Sequence, residues 1–140
     1  MAITQSLATS FKVQLLQGTQ NFNSNTFKIA LFTSSAALGP TTTVYSPTNE
    51  VSGTGYTAGG NTLVVSTTPT STGTTAFISF SNTSWTGASF TARGAMIYNS
   101  TNGNSCVAVF DFGSDKTVVD GTFTITFPAA DATSAIIRIA

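Results

Sequence analysis

Apolar positions return along this chain in two rhythms, and each predicts a different element. From Ser6 to Gln17, Leu7, Phe11 and Leu15 recur every four residues and Gly18 follows, which predicts one short amphipathic helix closed by a glycine cap. Elsewhere the period is two. Phe27, Ile29 and Leu31 alternate with Lys28, Ala30 and Phe32, so both faces of that strand are largely apolar and want cover. Asn61 to Thr68, Thr75 to Ser81, Phe90 to Asn99, Ser105 to Phe112, Gly121 to Phe127 and Ser134 to Ile139 supply six more strand-like runs.

Ser105 to Phe112 carries apolar residues on both parities and reads as a central strand, whereas Phe123, Ile125 and Phe127 alternate with Thr122, Thr124 and Thr126 as in a strand with one wet face. Gly113, Ser114, Asp115, Lys116, Asp120 and Gly121 lie between them, and this turn chemistry predicts that the two runs pair as a hairpin ended by Pro128. Further turns are expected at Pro69 to Gly73, at Gly87 and at Asn102-Gly103, the last pairing Met96 to Asn99 with Ser105 to Val109. Ala36 to Gly60 is too rich in Pro and Gly for a long strand, and its Thr, Val and Tyr content predicts an ordered excursion with at least one of Gly55, Gly59 and Gly60 at positive φ. The expected fold is a single all-β domain over residues 1–140, a jelly-roll-like β-sandwich of about seven to eight strands with one short N-terminal helix.

Composition narrows the function. Only 7% of residues are charged, five basic against five acidic, so the surface is made of hydroxyls and amides, which suits a protein packed in an assembly. Five scattered cations do not make a phosphate-binding surface, and nucleic acid is set aside as a partner. No run is long and apolar enough for a membrane span, and the N-terminus has no basic and apolar leader pattern, so neither export nor a membrane is expected. Cys106 lies inside a strand pattern in a chain without histidine, and reads as a small buried hydrophobe rather than a nucleophile.

The remaining motifs read as structure rather than chemistry. Asp111-Phe112-Gly113 spells a kinase triplet without the other kinase motifs, and Gly53 to Ala58 resembles a dinucleotide fingerprint only in letters, because no helix begins after it. Asp111, Asp115 and Asp120 would suit a hard cation by chemistry, but their spacing matches no calcium loop and they read as solvated turn carboxylates. Trp85, Phe90, Tyr98, Tyr45 and Tyr56 offer an aromatic sugar platform as an alternative to core and interface packing, which is the preferred reading for the lone Trp. No catalytic, cofactor-binding or metal residues are assigned, and no enzyme activity or cofactor is expected.

Three segments, TNEVSGTGYTAGGNTL at Thr48 to Leu63, ARGAMIYN at Ala92 to Asn99 and DFGSDKTVVDGTFTITFPAADA at Asp111 to Ala132, resemble a family of small virion structural proteins of tailed bacteriophages. The resemblance runs from about Phe11 to Ile139 and implies a role similar to that of capsid cement, or decoration, proteins. It implies binding to the outer surface of the icosahedral shell, the major capsid protein as partner, and a dimer or trimer bridging capsomers. It also implies synthesis in the host bacterial cytoplasm and final residence on the virion exterior. A tail or head-fibre structural or host-surface binding protein is the alternative, and the family carries no catalytic residues to this chain.

Overall fold

The computed structural model describes residues 2–140. β1 (Ser6–Leu7) leads into α1 (Thr9–Gln17), followed by β2 (Phe27–Phe32), β3 (Asn61–Thr62), β4 (Val65–Thr72), β5 (Thr75–Phe80), β6 (Thr83–Asn99), β7 (Ser105–Ile125) and β8 (Ile137–Ile139). These form two antiparallel sheets, one in the order β1-β7-β6-β2-β3 and one in the order β4-β5-β8. The architecture is that of an all-β sandwich with one short helix, and the strand order does not confirm a jelly roll.

α1 ends as its sequence directs. Gly18 takes φ 75°, and its amide and that of Thr19 close back onto carbonyls of the last helical turn. Phe11 is the one helix side chain buried completely, packing edge-on to Phe22, which stacks on Phe27 at 4.5 Å. Phe80 of the smaller sheet approaches both of the latter rings and Phe127, so an aromatic cluster joins the two sheets.

The expected hairpin between Ser105 to Phe112 and Gly121 to Phe127 does not form. Ser105 to Ile125 is a single strand, and it pairs along its whole length with β6, from Asn99 opposite Ser105 to Thr83 opposite Ile125. The turn residues are absorbed as bulges, because each admits a left-handed backbone without ending the ladder. Gly113 (φ 81°) lies where Phe112 to Asp115 face only Arg93 across the ribbon, and Asp120 (φ 46°) lies at a second register shift. Gly87, expected as a turn, is likewise internal to β6 (φ 54°). An extended chain from Phe112 to Phe123 would span roughly 36 Å, yet their rings lie 6.2 Å apart, so the bulged ribbon curls back over its own apolar side.

Other boundaries also move. The run from Asn61 to Thr68 divides into β3 and β4, and β4 continues through Pro69, which an edge strand tolerates at the register shift between Thr67 and Thr70. The turn there is confined to Gly73 and Thr74, since Thr72 already pairs with Thr75. The C-terminal strand shortens to Ile137–Ile139. At the β6–β7 loop the expected pairing holds, with Met96 opposite Val109, but the left-handed pair is Gly103-Asn104, one residue later than the Asn-Gly signal suggests.

Candidate functional site

The segment from Ala36 to Gly60 turns out to seal a sheet edge. Thr33 and Val51 donate backbone hydrogen bonds across the junction between β2 and this segment, Phe32 bridges to Glu50, and Leu63 closes onto the Phe27 carbonyl. Between those points the chain bows away from β2, and the Tyr56 hydroxyl accepts the Leu31 amide at 2.9 Å in its place. Gly60 returns the chain so closely that a β-carbon there would fall 1.8 Å from the Ile29 oxygen. Gly55, Gly59 and Gly60 all take positive φ, in line with a series of tight turns.

One carboxylate holds the bow. Glu50 Oε1 accepts the Tyr56 hydroxyl at 2.6 Å and the Gly59 amide at 2.8 Å, while Oε2 accepts the Tyr45 hydroxyl at 2.6 Å. Tyr98 stacks on Tyr45 at 4.5 Å and donates its hydroxyl to the Gly59 carbonyl at 2.6 Å. Burial pushes the Tyr98 phenol up to about 12, with the Glu50 charge adding to it. Burial and the hydrogen bond to Glu50 drive the Tyr45 and Tyr56 phenols well above the usual phenol range. Charge-assisted bonds of this length are among the stronger ones, and all three tyrosines of the chain are used in this clamp.

The residues offered as a sugar platform are therefore spoken for. Tyr45, Tyr56 and Tyr98 bind Glu50 and the loop backbone, while Trp85 and Phe90 are buried against Tyr56 and Phe123. Cys106 is fully buried, and burial pushes its thiol up to about 12, the opposite of what a nucleophile needs. Asp111, Asp115 and Asp120 are spread along the solvent face of β7 and do not converge. Arg93 reaches Asp115 at 3.2 Å and Asp111 at 3.9 Å, stapling the two ends of the Gly113 bulge, while Asp120 meets Ser89. Among the described residues no cluster of three or more carboxylate, thiol or imidazole groups is placed to hold a metal ion.

A second polar cluster, which the sequence reading passed over, lies at the other end of the ribbon. Asn99, fully buried, donates to Gln20 at 2.8 Å and Asn25 at 2.9 Å and accepts the Thr101 and Asn102 amides. Gln20 in turn donates to Gln14 at 2.7 Å and Ser105 at 3.0 Å. The amides of Asn99 and Gln20 are bonded at both ends, so the buried heart of the cluster fixes the end of α1 on the β6–β7 loop and offers no open valence to a ligand. Only its spacing in three dimensions reveals it, because Gln20 and Ser105 are 85 positions apart.

What remains open to a partner is surface. On the outer side of the β6–β7 ribbon, hydroxyls pair across the strands, Ser84 with Thr124 at 2.9 Å and Thr91 with Thr117 at 2.9 Å. β4 adds exposed Ser and Thr along nearly all of its length. In comparisons with known proteins, no family model, no curated relative and no solved structure matches this chain.

Proposed function

We propose that this chain is a tailed-bacteriophage capsid cement protein, which binds the outer surface of the shell and ties neighbouring copies of the major capsid protein together. The observation that carries the reading is the solvent face of the β6–β7 ribbon. Its Ser84/Thr124 and Thr91/Thr117 pairs present short, conformationally restrained hydroxyls, and the charges interleaved with them are tied down within the ribbon, Asp111 and Asp115 by Arg93 and Asp120 by Ser89. Such a surface gives up little side-chain entropy on burial and needs no counter-charge, which suits contact repeated in many copies.

The Glu50 clamp supports the same reading, since it pre-orders the longest irregular segment before any partner arrives. With ten charged residues summing to zero, binding rests on apolar and hydrogen-bonded contact, and long-range steering is weak.

The test adds purified protein to undecorated shells and follows occupancy against salt and temperature. Saturable binding that changes little between about 0.05 and 0.5 M salt, across which the screening length falls severalfold, is expected. Decorated shells should resist heat better than bare ones. Recovery of the protein only with tails moves the assignment to a tail or head-fibre protein, and failure to bind any shell removes the cement role.

A further inference from the structure

The turn that joins β6 to β7 leaves one backbone amide unguarded. Because its left-handed residues are Gly103 (φ 60°) and Asn104 (φ 59°), Asn102 stands before the turn, and its carbonyl accepts the Ser105 amide at 3.1 Å. The Asn102 side chain is half-buried and held by one long contact, Nδ2 donating to Ser105 Oγ at 3.4 Å. Gly103, next along the chain, is exposed, and its amide donates no hydrogen bond among the described residues. Nothing lies within 4 Å of where its β-carbon would stand. An unbonded amide nitrogen thus sits one residue away from a primary carboxamide with no side chain to shield it.

The other asparagines lack this arrangement. Gly103 is the only glycine that follows an asparagine in the chain. The amides after Asn25, Asn49 and Asn99 are tied to Thr101 Oγ1, the Pro47 carbonyl and the Thr26 carbonyl, and the amide after Asn104 closes the turn itself.

We infer that Asn102 is a self-modification site, converted through a cyclic imide to aspartate and isoaspartate. The Gly103 amide gives its proton to solvent and its nitrogen bonds to Asn102 Cγ. The Cγ–Nδ2 bond breaks, and Nδ2 takes up a proton and leaves as ammonia. Water then opens the ring. Addition at Cγ breaks the new bond and leaves aspartate, whereas addition at the main-chain carbonyl breaks the original peptide bond and leaves isoaspartate. Bringing Cγ to the Gly103 nitrogen requires the turn from Asn102 to Ser105 to open, so the rate follows that local opening.

Either product adds one negative charge to a chain of formal net charge zero and withdraws the donor that Ser105 Oγ accepts. Isoaspartate also lengthens the main chain by one carbon, against the closure of Ser105 on Asn102 and of Tyr45 on Asn104. Ser105 Oγ is also the partner of Gln20, so the change reaches the buried amides that seat α1. This chemistry goes beyond the cement reading and does not depend on it, because its test contains no shell.

The experiment ages the full chain in mildly alkaline buffer and follows each asparagine by mass spectrometry, with fragmentation that separates aspartate from isoaspartate. Asn102 should convert at least about tenfold faster than any other asparagine, since only its successor lacks a β-carbon. Both products should appear. In the isoaspartate fraction the amides of Ser105 and Tyr45 should exchange with solvent faster than in the fresh chain, with little change in β4 and β5. Gly103→Asn tolerates the φ of 60° and places its β-carbon in open space, so it should keep the melting temperature and slow conversion at Asn102 at least about fivefold. Faster or equal conversion at another asparagine, or no slowing in Gly103→Asn, overturns the assignment. Aspartate without isoaspartate would mean direct hydrolysis and removes the cyclic route. Unchanged exchange at Ser105 and Tyr45 removes the link to α1. A folded chain that stays intact while the urea-unfolded chain converts would show that the turn protects the pair, and also overturns the assignment.

Discussion

The two ends of the β6–β7 ribbon are cut from the same two strands and have opposite surroundings. At the root, Gly94 to Asn99 and Ser105 to Val109 are enclosed by β2, the helix and the loop, and nearly every side chain is buried on both faces. At the far end, Thr83 to Ala92 bury one face and leave the other wet, while Lys116 to Ile125 are nowhere more than half buried. Strand identity is therefore not what sets burial here. The root holds the protein together, and the far end is free to vary its outer surface at little cost.

The largest effect that should separate the two ends comes from the root. Phe27→Ala removes a buried ring that stacks on Phe22 and touches Phe80, and should cost about 3–5 kcal/mol in denaturant-measured stability. Gly60→Ala, at the loop that seals β2, meets both a positive φ and the Ile29 carbonyl, and should cost about 2 kcal/mol or more, with loosening of the Tyr56 and Glu50 contacts visible in the tyrosine spectra.

Alkali sharpens the contrast from another direction. Cys106 and Tyr98 are raised to about 12 and stay protonated in the fold while the unfolded chain ionises, so the unfolded state binds fewer protons. Stability is unaffected below about pH 8 and falls as pH climbs through the window between the unfolded values and 12, by about 4–5 kcal/mol at pH 11 from these two groups, with Tyr45 and Tyr56 adding in the same sense. Cys106→Ala should flatten that slope whatever it does to stability at pH 7, and a set of urea midpoints against pH would read it. The smallest effect belongs to the far end. Thr91→Ala with Thr117→Ala should stay within about 0.5 kcal/mol of the parent, and a larger loss would make the outer hydroxyl pairs part of the fold.

The same comparison explains what was legible in the sequence. The Gly18 cap, the two-faced apolar strand at Phe27 to Phe32 and the burial of Cys106 follow from local rules that nothing overrides, whereas the helix begins only at Thr9, because Ser6 and Leu7, expected in its first turn, pair with β7 instead. The false hairpin came from reading Gly113 and Asp120-Gly121 as chain reversals. Locally a bulge and a turn need the same left-handed residues, and only the partner strand decides between them. Likewise nothing in sequence spacing singles out Glu50 or announces that three tyrosines from separate segments converge on it or its loop. The hydroxyl pairs on the ribbon were visible as composition but not as an arranged face, because their register depends on where the bulges fall.

The buried amide cluster around Asn99 bears on how the chain comes into being. Gln20 waits for Asn99, 79 positions later, and for Ser105 beyond it, so at ribosomal speeds of about 5–20 residues per second the start of the chain stands without its partner for roughly 4–16 s. During that interval Phe11, Phe22 and Phe27 have a helix and a strand to offer but no wall to lean on. Nascent chains arrested before Asn99 should accordingly be cut by protease within α1, and chains arrested far enough past Val109 for the root to emerge should resist. Birth thus runs against reading order: the last-made half of the ribbon gives the first-made helix its place.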